Sequence, residues 1–139
     1  IFEYMENGLP LPFEIENSVI YYAGPTPTPE NMVIGSCGPT TSMRMDPYTP
    51  KLYDMGLTAT IGKGERSPEV IDSIIKNKAV YLCAIGGAGA LSALSITDCE
   101  VLAFEDLGCE SIKRLEFKDF PLIVGIDCSG GNIFKRNFI

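Results

Sequence analysis

Apolar residues recur in this chain with two periods, and the places where one gives way to the other mark out its elements. In IFEYMENG, Ile1, Phe2 and Met5 share one helical face, with Gly8 just past the end as a stop. NSVIYYAG, 17–24, is β-branched and aromatic enough to be a strand, and GPTPTPEN then forces a rigid turn. MVIGSC, 32–37, reads as a second short strand. Thr49 and Pro50 are placed as cap and first residue of a short helix, PKLYDM, ended by Gly56. LTATIGKG, 57–64, is a strand leading into a glycine-flanked lysine. Ser67 and Pro68 repeat the cap-then-proline start, and Val70, Ile71, Ile74 and Ile75 recur at helical spacing as the core-facing stripe of a helix ending near Asn77.

Beyond that helix, AVYLCAI reads as a buried strand, GALSALSI as a helix, and 99–107 as another strand. LEFKDFPLIVGID supplies strand material around Pro121, and SGGN at 129–132 is a hairpin turn before IFK. Residues 79–96 carry no charge and reach the length of a membrane span, roughly 18 residues. Their centre is GGAG, however, with β-branched and aromatic residues before it and Ala, Leu and Ser after, so a strand, a glycine turn and a helix are expected instead. Elements alternate early and strands dominate late, with no repeat, low-complexity tract or linker. The pattern predicts one α/β domain over 1–139.

Composition narrows the function. Hydrophobic residues at 45% and charged ones at 21% are ordinary globular usage, as expected of a folded, soluble chain. A formal charge of −7 argues against a nucleic-acid partner, which needs a clustered basic face. An anionic ligand must then be held by a few placed basic groups. The chain has no histidine, which removes the commonest acid–base residue and metal ligand. Its five cysteines, 37, 83, 99, 109 and 128, form no CxxC pair and are expected as reduced, buried, structural thiols of a cytosolic protein. An iron–sulfur cluster needs converging thiolates, so none is expected on this chain. The start shows no basic n-region or cleavage site, and a cytoplasmic location is expected.

The densest chemistry lies in GPTTSMRMDPYTP, 38–50, where polar side chains sit on a backbone stiffened by prolines. The guanidinium of Arg44 can grip a carboxylate with its planar fork; taken alone, it reads as a surface arginine pairing with Asp46. Lys63 alone reads as a solvated turn lysine, and Thr40 as one loop hydroxyl among many, since an unactivated hydroxyl is a poor base. Thr41 and Ser42 are expected to orient the loop through local backbone hydrogen bonds. GGAGA at 86–90 matches neither phosphate-binding fingerprint and reads as tight strand-to-helix packing. Glu105 and Asp106, adjacent at a strand end, would face opposite sides, and Asp127 reads as a turn former.

These words also carry a resemblance. VIYYAGPTPT at 19–28, the 38–50 stretch, IGKGERS at 61–67, GGAGAL at 86–91, EDLGCESIKRLEFKDFP at 105–121 and LIVGIDCSGGNIFK at 122–135 resemble, in order, the beta region of the iron–sulfur-dependent hydro-lyases, the class I fumarase and L-tartrate dehydratase family. The resemblance implies a swivelling β/β/α domain that docks over a catalytic partner. It implies a beta subunit or beta domain that reversibly hydrates fumarate to malate, a step of the tricarboxylic acid cycle, together with an alpha subunit whose four-iron four-sulfur cluster acts as Lewis acid. In that pattern Thr40 stands where the family places the base that moves the C3 proton, and Arg44, Lys63 and Thr41 stand among the substrate-binding groups, with no metal ligand on this chain. An upstream segment with an Arg-Asp pair and a histidine, usual in the family, has no match here and is expected to be missing. Cys37 and Met43 depart from the small residues usual at their positions, and Met43 is expected to narrow the site. L-tartrate as substrate, a non-catalytic anion-binding module, and homodimer against heterotetramer all stay open.

Overall fold

The computed structural model describes residues 1–135 and is mixed α/β. Three parallel strands, β1 (Val19–Tyr21), β2 (Ala59–Gly62) and β3 (Val80–Cys83), stand side by side, and β6 (Ile123–Ile126) closes the sheet antiparallel to β3. Parallel neighbours need crossovers. The first runs through the loop at 22–41, a 3₁₀ turn at Ser42–Met45 and helix α2 (Thr49–Asp54); the second is α3 (Pro68–Asn77). Helix α1 (Phe2–Glu6) precedes the sheet, and α4 (Gly89–Leu94) leads into a separate antiparallel hairpin of β4 (Ile96–Ala103) and β5 (Ile112–Phe117).

Two cores hold these layers. Leu52 and Tyr53 of α2, Val70 and Ile74 of α3, Tyr81 of β3 and Ile126 of β6 form the larger one, with Ile15, Leu57 and Ala79. The smaller joins Ile34, Cys37, Ala93 and Ile96, flanked by Tyr21, Cys99, Leu115 and Phe117. Strand β2 is buried along its whole length because it has a strand on either side.

Several elements follow the local signals. The Ser67 hydroxyl accepts from the amide of Val70 and Pro68 opens α3, while Gly8 and Gly56 take positive φ where their helices stop. Asp127 is a turn former, its carboxylate accepting from the amides of Ser129 and Gly131.

Other expectations are corrected. MVIGSC is not a strand: its backbone bonds go singly to unrelated segments, Cys37 N–H to Gly89 and Ser36 C=O from Thr26, so no ladder forms. Thr49 does not cap α2, whose cap position falls on Tyr48, because the Thr49 hydroxyl is buried and donates to the carbonyl of Met45. Ile75 is exposed, since only Val70 and Ile74 of the stripe reach the core fully. The strand expected at 99–107 starts earlier, at Ile96, and ends at Ala103; Glu105 and Asp106 lie in a 3₁₀ turn, where strand alternation does not apply. The residues IFK after the turn join no ladder; only Asn132 makes a bridge, to Ile126. All five cysteines are free, but Cys109 and Cys128 are exposed, and only Cys37 is fully buried. Among the described residues no helix is long and apolar enough to cross a membrane.

Candidate active site

The carboxyl ends of parallel strands are the usual place for ligands in such sheets. Here the segment 39–42 is laid between the ends of β1 and β2. The amide of Thr40 donates to the carbonyl of Tyr22 at 2.8 Å, that of Lys63 to Thr40 at 3.3 Å, and that of Ser42 to Lys63 at 3.0 Å. Thr41 and Lys63 therefore stand opposite each other as in a parallel ladder. Arg44 follows on the 3₁₀ turn, exposed.

The result is a cleft of about 340 Å³ lined by Gly24, Gly38, Pro39, Thr40, Thr41, Arg44 and Lys63. All four site residues expected from the sequence, Thr40, Thr41, Arg44 and Lys63, lie in it. No acidic side chain is among the lining residues, and neither Arg44 nor Lys63 enters an ion pair among the described residues. Two cations facing one cleft on a chain of charge −7 concentrate positive field there. Met43, expected to narrow the site, is exposed and outside the lining, because the turn directs it elsewhere. Cys37 belongs to the smaller core.

The GGAGA segment packs against this loop. The carbonyl of Gly89 accepts from Cys37 N–H, and a Cβ on Gly89 would sit 3.0 Å from the nitrogen of Gly38. A Cβ on Gly86 would sit 3.2 Å from Cδ of Lys63, so the lysine stem lies along bare backbone.

Beneath the cleft is a buried polar group that sequence reasoning missed. Asp46, expected as the partner of Arg44, instead pairs with Arg66: Nε to Oδ1 is 2.7 Å and the Arg66 side chain is fully buried. The other Asp46 oxygen accepts from the amide of Ser67 at 2.6 Å. Arg66 also donates to the hydroxyls of Thr60 and Thr49, each at 3.0 Å, and its guanidinium faces the rings of Tyr22 and Tyr81. Tyr81 lies 2.9 Å from the carbonyl of Gly64 and 3.0 Å from Ser42 Oγ. The Tyr81 hydroxyl is the donor toward both, its single proton shared between the Gly64 carbonyl and Ser42 Oγ. Ser42 is thus held by a distant tyrosine, not by local backbone bonds alone. Burial pushes the phenols of Tyr81 and Tyr22 up and that of Tyr53 up to about 12, which keeps them protonated donors at neutral pH. The sequence signal was present, if faint: threonines and tyrosines at 22, 49, 53, 60 and 81 in or next to the elements of the sheet and its first crossover.

A metal cluster does not fit this donor set. Among the described residues no three His, Cys, Asp or Glu side chains converge so as to hold an ion, and the thiols are split between core and surface.

Residues 1–137 match the family model described as Fumarase C-terminus. The chain is 42% identical over 136 residues to Fumarate hydratase 2 of Leishmania major, covering 96% of this chain and 24% of that protein. It is 41% identical over 136 residues to the aerobic class I fumarate hydratase of Escherichia coli K12, covering 96% of this chain and 25% of that protein. To the L(+)-tartrate dehydratase subunit beta of the same organism it is 32% identical over 133 residues, 92% of this chain and 66% of that subunit. The chain spans about a quarter of the length of the fumarate hydratases it matches. From the match along nearly its whole length, the chain belongs to the fumarase C-terminus family.

Proposed function

We propose that this chain is the beta part of an iron–sulfur hydro-lyase that reversibly hydrates fumarate to malate, folded as the family's swivelling β/β/α domain. The observation that carries the reading is the cleft itself, which gathers Thr40, Thr41, Arg44 and Lys63 with two cations and no acid. Arg44 binds one carboxylate of the substrate through both guanidinium nitrogens. Lys63 supplies a point charge for the other, and Thr41 lines the floor. Thr40 takes the C3 proton of malate on the way to fumarate and returns it in hydration. A hydroxyl can do so only beside a charged group that activates it, and the lining of this cleft offers no base, so that group comes from the partner. The cluster also belongs to the alpha partner, since no ligand set converges among the described residues.

The test is co-expression with an alpha partner, anaerobic cluster reconstitution, and turnover assays on L-malate, fumarate and L-tartrate. Fumarate–malate turnover by the pair, with neither half active alone, is the expected result. Preference for L-tartrate would change the substrate. A cluster-loaded pair that turns over neither substrate would remove the enzymatic reading.

A further inference from the structure

We propose that Arg66, which does not line the cleft, is a positioning residue that fixes the separation of Arg44 and Lys63 and keeps Arg44 unpaired; this rests on the reading of the cleft as a dicarboxylate site. Arg66 lies three residues after Lys63 in the chain, and Asp46 two after Arg44. The 2.7 Å ion pair between Arg66 and Asp46 therefore ties the lysine loop directly to the arginine turn. Each side is stiffened further. Thr49, which accepts from Arg66, donates to Met45 at the end of the turn, and Tyr81, stacked on Arg66, holds Gly64 next to Lys63.

Hydroxyl bookkeeping shows how tightly the unit is closed. Thr49 has one proton, given to Met45, so Tyr22 must donate to it at 2.8 Å while Arg66 donates at 3.0 Å. Among the described residues no buried side-chain nitrogen or oxygen lacks a partner. A fully satisfied buried network holds one geometry, whereas a partly satisfied one does not. Buried, with Oδ1 on Arg66 and Oδ2 on the amide of Ser67, Asp46 already has its charge compensated without Arg44 two residues away. Loss of the Arg66 charge would free a carboxylate to compete with any carboxylate ligand for Arg44. A lysine keeps the charge but has no fork with which to reach Asp46, Thr60 and Thr49 at once.

A ligand with two carboxylates senses the spacing of two cations; a ligand with one does not. The experiment measures binding of succinate and of propionate to the assembled protein by titration calorimetry, in wild type, Arg66→Lys and Ile74→Val. Arg66→Lys should weaken succinate at least about tenfold, since sub-ångström misplacement is costly at such sites, and propionate less than about threefold. Ile74→Val loosens the same core without touching the network and should change neither. Should Arg66→Lys fail to fold, Tyr81→Phe deletes only the hydroxyl between Gly64 and Ser42 and should show the same selective loss of succinate. Equal losses for the two ligands, unchanged succinate binding, or no succinate binding by wild type would each overturn the proposal. Binding is read without turnover, so an inactive wild type that still shows the selective loss would overturn the hydro-lyase reading and leave this one standing.

Discussion

The amide of Ser42 donates to the carbonyl of Lys63 at 3.0 Å, and the two residues are thereby fixed edge to edge beside the cleft that Lys63 lines. Their approach depends on Gly62. A Cβ there would lie 1.9 Å from Ser42 Oγ, and Ser42 is fully buried with its hydroxyl committed to Tyr81. We expect Gly62→Ala to push the 39–42 segment off β2, costing ~1–3 kcal/mol as overpacked sites do, and to depress activity further than that loss of folded protein explains. Urea denaturation alongside kinetics separates the two; a variant with wild-type stability and rates would show that the segments are not so tightly docked.

Arg44→Lys tests the carboxylate grip. In the assembled enzyme we expect a loss in kcat/KM worth about 2–5 kcal/mol, the usual cost of breaking a desolvated charge-assisted contact, with the larger share in KM. Steady-state rates within about twofold of wild type would make Arg44 a surface residue.

What was legible in the sequence was what is decided locally. Ser67–Pro68 starts a helix because the cap bond spans three residues, and Asp127 forms its turn from its own carboxylate. Thr49–Pro50 carries the same local signal, yet there the hydroxyl answers to Met45, Tyr22 and Arg66, and the cap is lost. MVIGSC has strand composition, but its backbone groups are spent singly on Gly89 and Thr26, partners far apart in the chain, so no ladder forms. Arg66 stayed invisible for a similar reason: its partner is twenty residues distant, and nothing local distinguishes a buried arginine from an exposed one. The site residues themselves were read from the resemblance, because composition alone ranks Thr40 and Lys63 as ordinary loop residues.

Cys37 gives a pH dependence. Burial, with the Cys99 thiol nearby, pushes its thiol up from 9.0 to about 11, Lys113 opposing only in part. The unfolded chain gives up that proton near pH 9 and the folded chain near 11, so the contribution is fully present below pH 9 and is lost as pH rises through 11. By urea unfolding, wild type should lose ~2 kcal/mol more than Cys37→Ala across that window. In native protein at pH 8, iodoacetamide should label the exposed Cys109 and Cys128 first and spare Cys37. Equal slopes for both proteins would place Cys37 in a more polar setting than the core suggests.

The isolated chain should hold no stoichiometric cluster after anaerobic reconstitution, because its thiols do not converge. Iron and sulfide analysis decides it. A cluster on this chain alone would undo the proposed division of labour with an alpha partner.

Thr40 and Thr41 are neighbours in one cleft with different proposed tasks, which makes them the sharpest comparison available. If Thr40 moves the substrate proton, Thr40→Ala should lower kcat by about two to four orders of magnitude, the range for a lost proton-transfer group, while KM stays close to wild type, since Arg44 and Lys63 still hold both carboxylates. Thr41 faces Lys63 across the loop junction, so Thr41→Ala should act mainly on KM and mildly on kcat. Pairing turnover with exchange of the C3 hydrogen in deuterated water isolates the step, because exchange needs the base even where release of product limits the rate. Two alanine variants impaired alike, or Thr40→Ala exchanging at the wild-type rate, would move the base off this chain and onto a carboxylate of the partner.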